Sequence, residues 1–434
     1  MKYLLTLLLL FFLSACSQIN TLAYEDIADL KELPQNAVAY TSVLDENRSL
    51  YEIQSQYATN YFKAWHMSFS KLSIDAMKWP FKSYTPKNSF GENLQPISQS
   101  LLDQLEVNTN STSYATINLR GITVHQASLR ALPTDKPFFN DPRKAGEGFP
   151  FDYLQESSIH INEPIFVSHY SLDGAWAHIS TSYAQGWIHT NDFVLLSEQQ
   201  CNEFENAKKI SITMDDFPIK DDKDQFLFYS KIGMQFPFIQ ENNNSFYASV
   251  IVAGDNRNAV YKHVSIPKTI ATSDILSLNQ QNVRTLVDAI VHTHYGWGGM
   301  YGERDCSSTL RDLFTPFGIW LPRNSSYQAK VGKVISLENL EDDKKIELIK
   351  KEGVPFETLL HKKGHILLYT GIYDNKVIVM HNMWGLSISD GEKSGRVIVG
   401  KIVFSTLEIG KEHKYHKGTL LSKLDSMNIL TLKP

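Results

Sequence analysis

Cys306 sits between Asp305 and Ser307, and the apolar residues Leu310, Leu313, Phe314 and Phe317 follow it at i+4, i+7, i+8 and i+11. That spacing predicts an amphipathic helix opened by Cys306 and ended near Gly318. A sulfur at a helix start meets unpaired backbone N–H groups and the positive end of the macrodipole, which favour thiolate over thiol and make a nucleophile near neutral pH. Asp305 would oppose this if it pointed at the sulfur, so the reading turns its carboxylate into the adjoining cleft, with Ser307 lining the same space. A thiol also needs a proton-carrying partner. His365 opens the apolar run HILLYTGIY, and His381 lies in KVIVMHNMWG in phase with Val377 and Val379, with Asp374-Asn375 between the runs as a hairpin turn. In this arrangement His365 accepts the thiol proton and returns it to a leaving amine, while His381 fixes the imidazole's tautomer and orientation. Asn382 is the alternative orienting residue.

Metal is the competing use of Cys and His. His292 and His294 form a His-x-His pair, but no Cys-x-x-Cys or carboxylate cluster with ligand spacing accompanies them. They read as a helix end, where imidazole suits the negative pole. No metal and no other cofactor is implied.

These residues need elements to hold them. The chain has 434 residues, more than one hydrophobic core usually organises, so several packed modules are expected. With 42% hydrophobic and 21% charged residues it reads as globular, and a formal net charge of -5 without long basic runs gives no case for nucleic acid as a partner. Residues 24–112 read as an N-terminal helical packing module. Tyr57, Tyr61, Phe62, Trp65, Phe69 and Leu72 predict a helix from Ser55, Trp79 to Pro86 an irregular aromatic arm, and Asn108 to Ser113 a surface loop.

From 113 to 198 the pattern changes to short alternating runs, with Asp173-Gly174 as a tight turn between Pro164–Tyr170 and Trp176–Ser180. A second set of short strands spans 205–268 with a turn at Gly254 to Asn258; the alternative is one larger β domain. The catalytic residues fall in 272–430, which opens with a helical pattern through Val283, Leu286, Ala289, Ile290 and Thr293.

At the N-terminus, one Lys precedes a predominantly apolar stretch from Tyr3 to Leu13, too short to span a bilayer comfortably. The sequence Leu13-Ser14-Ala15-Cys16 that ends it resembles the lipobox of bacterial lipoproteins, which implies lipidation of Cys16 after removal of the preceding signal, within 1–16. Acyl chains there would hold the protein to a membrane, at about 0.8 kcal/mol per buried methylene. Ser17 after Cys16 leans toward the outer membrane of a Gram-negative cell, which would place the exported protein on its periplasmic face. With Cys16 set aside, only Cys201 and Cys306 remain, so no disulfide framework is indicated. Cys201 reads as a small buried hydrophobe.

Four motifs in order, Tyr295-x-Trp297-Gly298-Gly299, Asp305-Cys306-Ser307, Leu321-Pro322-Arg323-x-Ser325-x-x-Gln328 and Gly364-His365-Ile366, resemble the NlpC-type papain-like cell-wall peptidases. The stretch SLDGAWAHISTSYAQGWIHTNDF resembles bacterial SH3-like domains. The expected fold is therefore multidomain α+β: an N-terminal helical module, two small SH3-like β-barrels and a C-terminal papain-like catalytic domain.

The resemblance implies hydrolysis of the amide between γ-D-glutamate and a diamino acid, usually diaminopimelate, in peptidoglycan stem peptides. It makes Cys306 nucleophile, His365 general base and His381 the third polar member. The Tyr295 hydroxyl and the Cys306 N–H would form the oxyanion site, and Asp305, Ser307 and Ser325, with Trp297, would bind the L-Ala-D-Glu portion. Ser308 departs from the family, where many relatives have Gly, and the charged stretch Leu337 to Glu352 is insertion-like. Relatives often close the cleft with a loop of the first barrel; here Asp141, Glu147 or Asp152 would then meet the substrate amine. Two other readings use the same residues: a noncatalytic wall-binding lipoprotein, and an acyltransferase whose acyl channel Trp297 and Tyr301 would line. The expected partners are peptidoglycan or released stem peptides and, through the anchor, a membrane, with a monomer the default state.

Overall fold

A computed structural model of the chain describes residues 26–44, 56–68 and 73–431. The leader, the lipobox with Cys16, and Phe69 and Leu72 of the expected first helix lie outside those residues.

The C-terminal part is built on a six-stranded antiparallel sheet in the order 333–336, 426–429, 358–362, 365–373, 376–389 and 394–406. Successive side chains of a strand point to opposite faces. Ile366, Leu368, Ile378, Met380, Ile402 and Phe404 accordingly share one cluster with Leu310, Leu313, Phe314 and Phe317 of the helix Cys306–Phe314 and its 3-10 extension. Leu367, Tyr369, Val377, Val379 and Val403 face the other way, toward Ile349, Leu421 and Ile27. Both faces are covered, which is why these strands read as nearly continuous apolar runs. The helix stops where expected, at Gly318, whose φ of 69° suits a residue without Cβ. Asp374 and Asn375, with φ of 46° and 60°, turn the hairpin between the two His-bearing strands. The insertion-like stretch forms the helix Asp342–Glu352, held by buried Lys345, whose ammonium donates to the carbonyls of Leu421, Ser422 and Leu424.

Two β domains precede it. The first is a seven-stranded antiparallel sheet containing the Pro164–Tyr170 and Trp176–Ser180 hairpin, and the second pairs five strands from Lys209 to Thr272 beside a two-stranded ribbon. Each fills its own apolar cluster, which decides against a single larger β domain. The Gly254–Asn258 turn closes the longest hairpin of the second.

The N-terminal segments differ from expectation. Trp79, Pro80 and Phe81 lie inside the helix Ile74–Ser83, not in an irregular arm, because Met77 on that helix packs with Trp176 and Trp187 of the first barrel; tertiary burial overrides the local proline signal. A further helix, Gln99–Asn108, leads into the supposed surface loop. Thr109 there is buried, its carbonyl accepting from His169 Nε2 at 2.9 Å. The helix predicted from Ser55 is short, Tyr57–Tyr61, and tightens to 3-10 through His66, where Phe62 and Trp65 meet Cys201 and Phe204.

Residues 26–44 form a strap across the catalytic sheet. Gln35 brackets Phe404, donating to its carbonyl and accepting from its N–H at 2.9 Å each. One Asp29 oxygen accepts from the Thr406 N–H and hydroxyl at 2.7 and 2.8 Å.

Candidate active site

Asp305 is the N-cap of the nucleophile helix and forms a capping box with Ser308: the Ser308 N–H donates to Asp305 Oδ1, and the Asp305 N–H to Ser308 Oγ, both at 2.9 Å. The departure from Gly at 308 thus supplies half of the cap. Cys306 occupies the first helical position and lines an open cleft with His365, Tyr295, Trp297, Phe151 and Trp384. His365 begins its strand directly after Gly364, whose φ of 78° makes the turn from Lys362, the cross-strand partner of His365.

The polar chain behind His365 fixes its tautomer. Ser405 Oγ donates to the Thr406 carbonyl at 2.9 Å, so its one proton is committed and it accepts from His381 Nε2 at 3.0 Å. His381 Nδ1 is then the unprotonated nitrogen, and the N–H it receives, at 2.8 Å, is His365 Nε2. His365 Nδ1 is left with its lone pair, the state a general base requires. Asn382, the alternative orienting residue, points elsewhere: its amide donates to the Arg304 carbonyl at 2.6 Å and to Thr309 Oγ1 at 3.2 Å. Ser405 was not singled out from the sequence; a lone serine on an apolar strand carries no pattern.

Burial sets the resting protonation. It pushes the Cys306 thiol up to about 12, with the Asp305 charge adding to the rise and the Ile366 and Ser307 backbone N–H groups only partly offsetting it. Burial therefore opposes the helix-start effect that favours a thiolate. Burial likewise holds His381 down to about 3, with Lys362 assisting, and His365 well below its ordinary range, with His381 and Lys362 assisting. Burial thus favours the neutral thiol of Cys306 and the neutral imidazole of His365. Tyr295 stays a phenol, burial and then the Asp305 charge raising it far above its usual value.

The expected substrate residues are distributed unevenly. The Asp305 carboxylate, expected to point into the substrate cleft, is bracketed by Arg323, at 3.0 Å to Oδ1 and 2.6 Å to Oδ2. Burial alone would raise Asp305, but the guanidinium charge and hydrogen bonds leave it below the usual carboxylate range. Ser307 Oγ donates to Asp305 Oδ1 and accepts from Arg323 at 2.8 Å. Arg323 also reaches Ser157 of the first barrel at 2.8 Å, so one side chain fastens helix cap and barrel together. Ser325 is half-buried at the start of the helix Ser325–Gln328 and does not line the cleft. Gln328 of the same motif donates to the Ser307 and Pro322 carbonyls at 2.8 Å each.

Trp297 is fixed by the first barrel: its indole N–H donates to the Asp152 carbonyl at 2.8 Å, and Phe151 and Tyr153 pack edge-on against it. Gly298 and Gly299 next to it have φ of 57° and 81°, and a Cβ on either would lie 2.5 Å or less from Gln155 or Ser158, so barrel and catalytic domain meet backbone to backbone here. Of the loop acids, Asp141 pairs with Arg143, and Asp152 is buried against Arg130 at 2.5 Å. Glu147 is held by neutral donors, Asn140 at 3.1 Å and the Tyr153 hydroxyl at 2.9 Å, so it alone of the three keeps its charge unpaired among the described residues. Tyr301 is 74% exposed and outside the cleft lining, which removes it from the acyl-channel reading.

A cysteine at the start of a helix packed on an antiparallel sheet, with its histidine on that sheet backed by a second polar residue, defines a papain-like cysteine hydrolase. Comparison with known families sharpens this. Residues 292–390 match the NlpC/P60 family, 3–114 the N-terminal NLPC_P60 stabilising domain, 137–189 an SH3 domain of SH3b1 type and 197–242 an SH3 domain of SH3b2 type. The chain thus contains an NlpC/P60 domain, the family being one of cysteine peptidases, preceded by an NLPC_P60 stabilising domain and two SH3b domains.

Among solved structures, it is similar to an NlpC/P60 endopeptidase from Photobacterium damselae subsp. piscicida, with a TM-score of 0.81 and 25% identity over 93% of this chain and 98% of that one. An NlpC/P60 family protein from Bacillus cereus aligns with a TM-score of 0.45 at 13% identity, over 72% of this chain and 99% of that one. No curated protein sequence matches.

Proposed function

We propose that this protein hydrolyses the amide between γ-D-glutamate and a diamino acid, such as diaminopimelate, in peptidoglycan stem peptides, with Cys306 as nucleophile. The observation that carries the reading is the hydrogen-bonded series His365, His381, Ser405, Thr406, which leaves the second imidazole nitrogen of His365 unprotonated, in a residue that lines the same cleft as Cys306.

In this mechanism His365 Nδ1 takes the Cys306 proton as sulfur attacks the carbonyl. The Tyr295 hydroxyl and the Cys306 N–H donate to the oxyanion; losing one such donor costs on the order of a hundredfold or more in rate. The imidazolium, held by His381, protonates the departing amine, and the same histidine then activates water to release the acyl group. The two SH3b domains bind wall polymer. Export and a lipid anchor on Cys16, facing the periplasm from the outer membrane, complete the proposal, and metabolic labelling with a palmitate analogue, lost in Cys16→Ala, tests that part.

The reaction is tested by mass spectrometry of protein lacking residues 1–16, incubated with L-Ala-γ-D-Glu-diaminopimelate and separately with intact sacculi, beside Cys306→Ala. Release of diaminopimelate only by the unsubstituted protein supports the reading. No cleavage by folded protein would move the wall-binding reading to the front.

A further inference from the structure

The cleft has a chemical asymmetry that the catalytic series does not use. On its helix-cap side the charges are closed on themselves, Asp305 against Arg323. On the strand side it is lined by Lys362, Arg396 and Lys423, and among the described residues no Asp or Glu lines it at all.

None of the three cations has a carboxylate partner among the described residues. The Lys362 ammonium reaches only the Lys363 carbonyl, at 3.4 Å, and Lys423 donates to the Lys417 and Gly418 carbonyls. Arg396 donates to Ser387 Oγ at 2.6 Å and to its neighbour's carbonyl. Asp425, whose charge acts on Lys362, is itself bound by His361 Nδ1 at 2.7 Å. After burial, the largest influence depressing Lys362 is Lys423, and the largest depressing Lys423 is Arg396, with the Cys306 and Asp425 charges opposing the first only in part, so the three cations act on one another. Partly buried like charges brought together without a counterion are a cost to the fold that an anionic ligand repays.

Their position says which part of a substrate they meet. Lys362 is the cross-strand partner of His365, the group that hands its proton to the departing amine. We therefore set the departing amine, and the residue that carries it, on the Lys362 side of His365. Arg396 completes the wall there, its guanidinium lying against Gly146 of the first barrel, where a Cβ would come within 2.5 Å.

We infer that Lys362, Arg396 and Lys423 form a carboxylate-binding subsite for the amino acid released on cleavage, so that the protein selects leaving groups bearing free carboxylates over the corresponding carboxamides. This rests on the peptidase reading. Charge-assisted hydrogen bonds contribute enough to expect a preference of roughly tenfold or more in kcat/KM.

The test compares L-Ala-γ-D-Glu-diaminopimelate with its leaving residue's carboxyls free or amidated, in the unsubstituted protein and in Lys362→Met, Arg396→Gln and Lys362→Arg, each checked for an unchanged melting profile. The free acid is expected to be favoured at least tenfold, the ratio to fall toward one in the first two variants, and Lys362→Arg to restore most of it. A ratio near one in the unsubstituted protein, or a ratio unchanged when both peptides slow together, would overturn the inference; the latter is what cations serving only to hold His365 neutral would give. Calorimetric binding of both peptides to Cys306→Ala separates the two claims. Selective binding of the free acid without cleavage by the intact protein leaves the subsite standing and removes the peptidase, whereas cleavage without selectivity does the reverse.

Discussion

His365 Nε2 donates to His381 Nδ1 at 2.8 Å, an imidazole-to-imidazole contact whose direction is decided two residues further on, by the proton Ser405 commits to the Thr406 carbonyl. A second histidine is an ambiguous orienting group, since either ring nitrogen can carry its proton. Here Ser405 removes the ambiguity.

Replacing that serine should therefore act on rate and not on binding. Ser405→Ala is expected to lower kcat by roughly ten- to a hundredfold, the range for losing a polar group behind a ligating or catalytic histidine. KM should stay close to its original value, and Ser405→Thr should keep most of the rate. An equal loss in Ser405→Thr, or a change confined to KM, would show that the hydroxyl matters only for packing.

Burial favours a neutral thiol at Cys306, pushed up to about 12, beside an uncharged His365. Alkylation of Cys306 by iodoacetamide, followed by peptide mapping to separate it from Cys201, should accelerate about tenfold per pH unit from pH 6 to 9. A rate already level below pH 7 would mean a preformed thiolate–imidazolium pair and refute the neutral resting state.

Acid should loosen the fold in a calculable direction. His381 and His178 are held to about 3 by burial, and His365 also far down. Because these folded-state values lie below the ordinary one, their contribution is complete above about pH 6.5 and is lost as pH falls, by about 1.4 kcal/mol each at pH 5.5. Glu163 acts oppositely: burial raises it to about 7, so the folded state keeps its proton and gains about 2 kcal/mol over the same interval. Urea unfolding should show a net loss of about 2 kcal/mol between pH 7.5 and 5.5 and a larger one in Glu163→Gln. Equal losses in the two proteins would contradict the assignment.

Arg323→Met should leave the Asp305 carboxylate buried and unpaired, costing about 3–5 kcal/mol in urea unfolding. Adding Asp305→Asn should recover part of it. If the single and double variants unfold together, the pair is not the link between helix cap and barrel that its geometry describes.

The catalytic elements were legible because their signals are local. The spacing after Cys306, the stop at Gly318 and the Asp374-Asn375 turn each follow from residues a few positions apart, and the hairpin they imply does join the two histidines' strands. The twin-barrel arrangement was legible from turn residues and alternation in the same way. What escaped is held by distant partners. Nothing near Asp305 announces Arg323 eighteen positions away, and nothing near His381 announces Ser405. The helix around Pro80 forms because Met77 on it meets two tryptophans about a hundred residues downstream. The three cations of the cleft come from separate elements and share no sequence pattern.

Asp29 gives the strap a meaning beyond packing. It accepts from Thr406, whose own carbonyl receives the Ser405 proton that orients both imidazoles, so residues separated by 377 positions meet at the end of the proton path. The beginning of the described chain thus serves as a latch on its chemistry. Clipping the strap, even with every cleft residue intact, would untune the base from a distance, which makes the enzyme's competence a property of the closed circuit of chain rather than of the C-terminal domain alone.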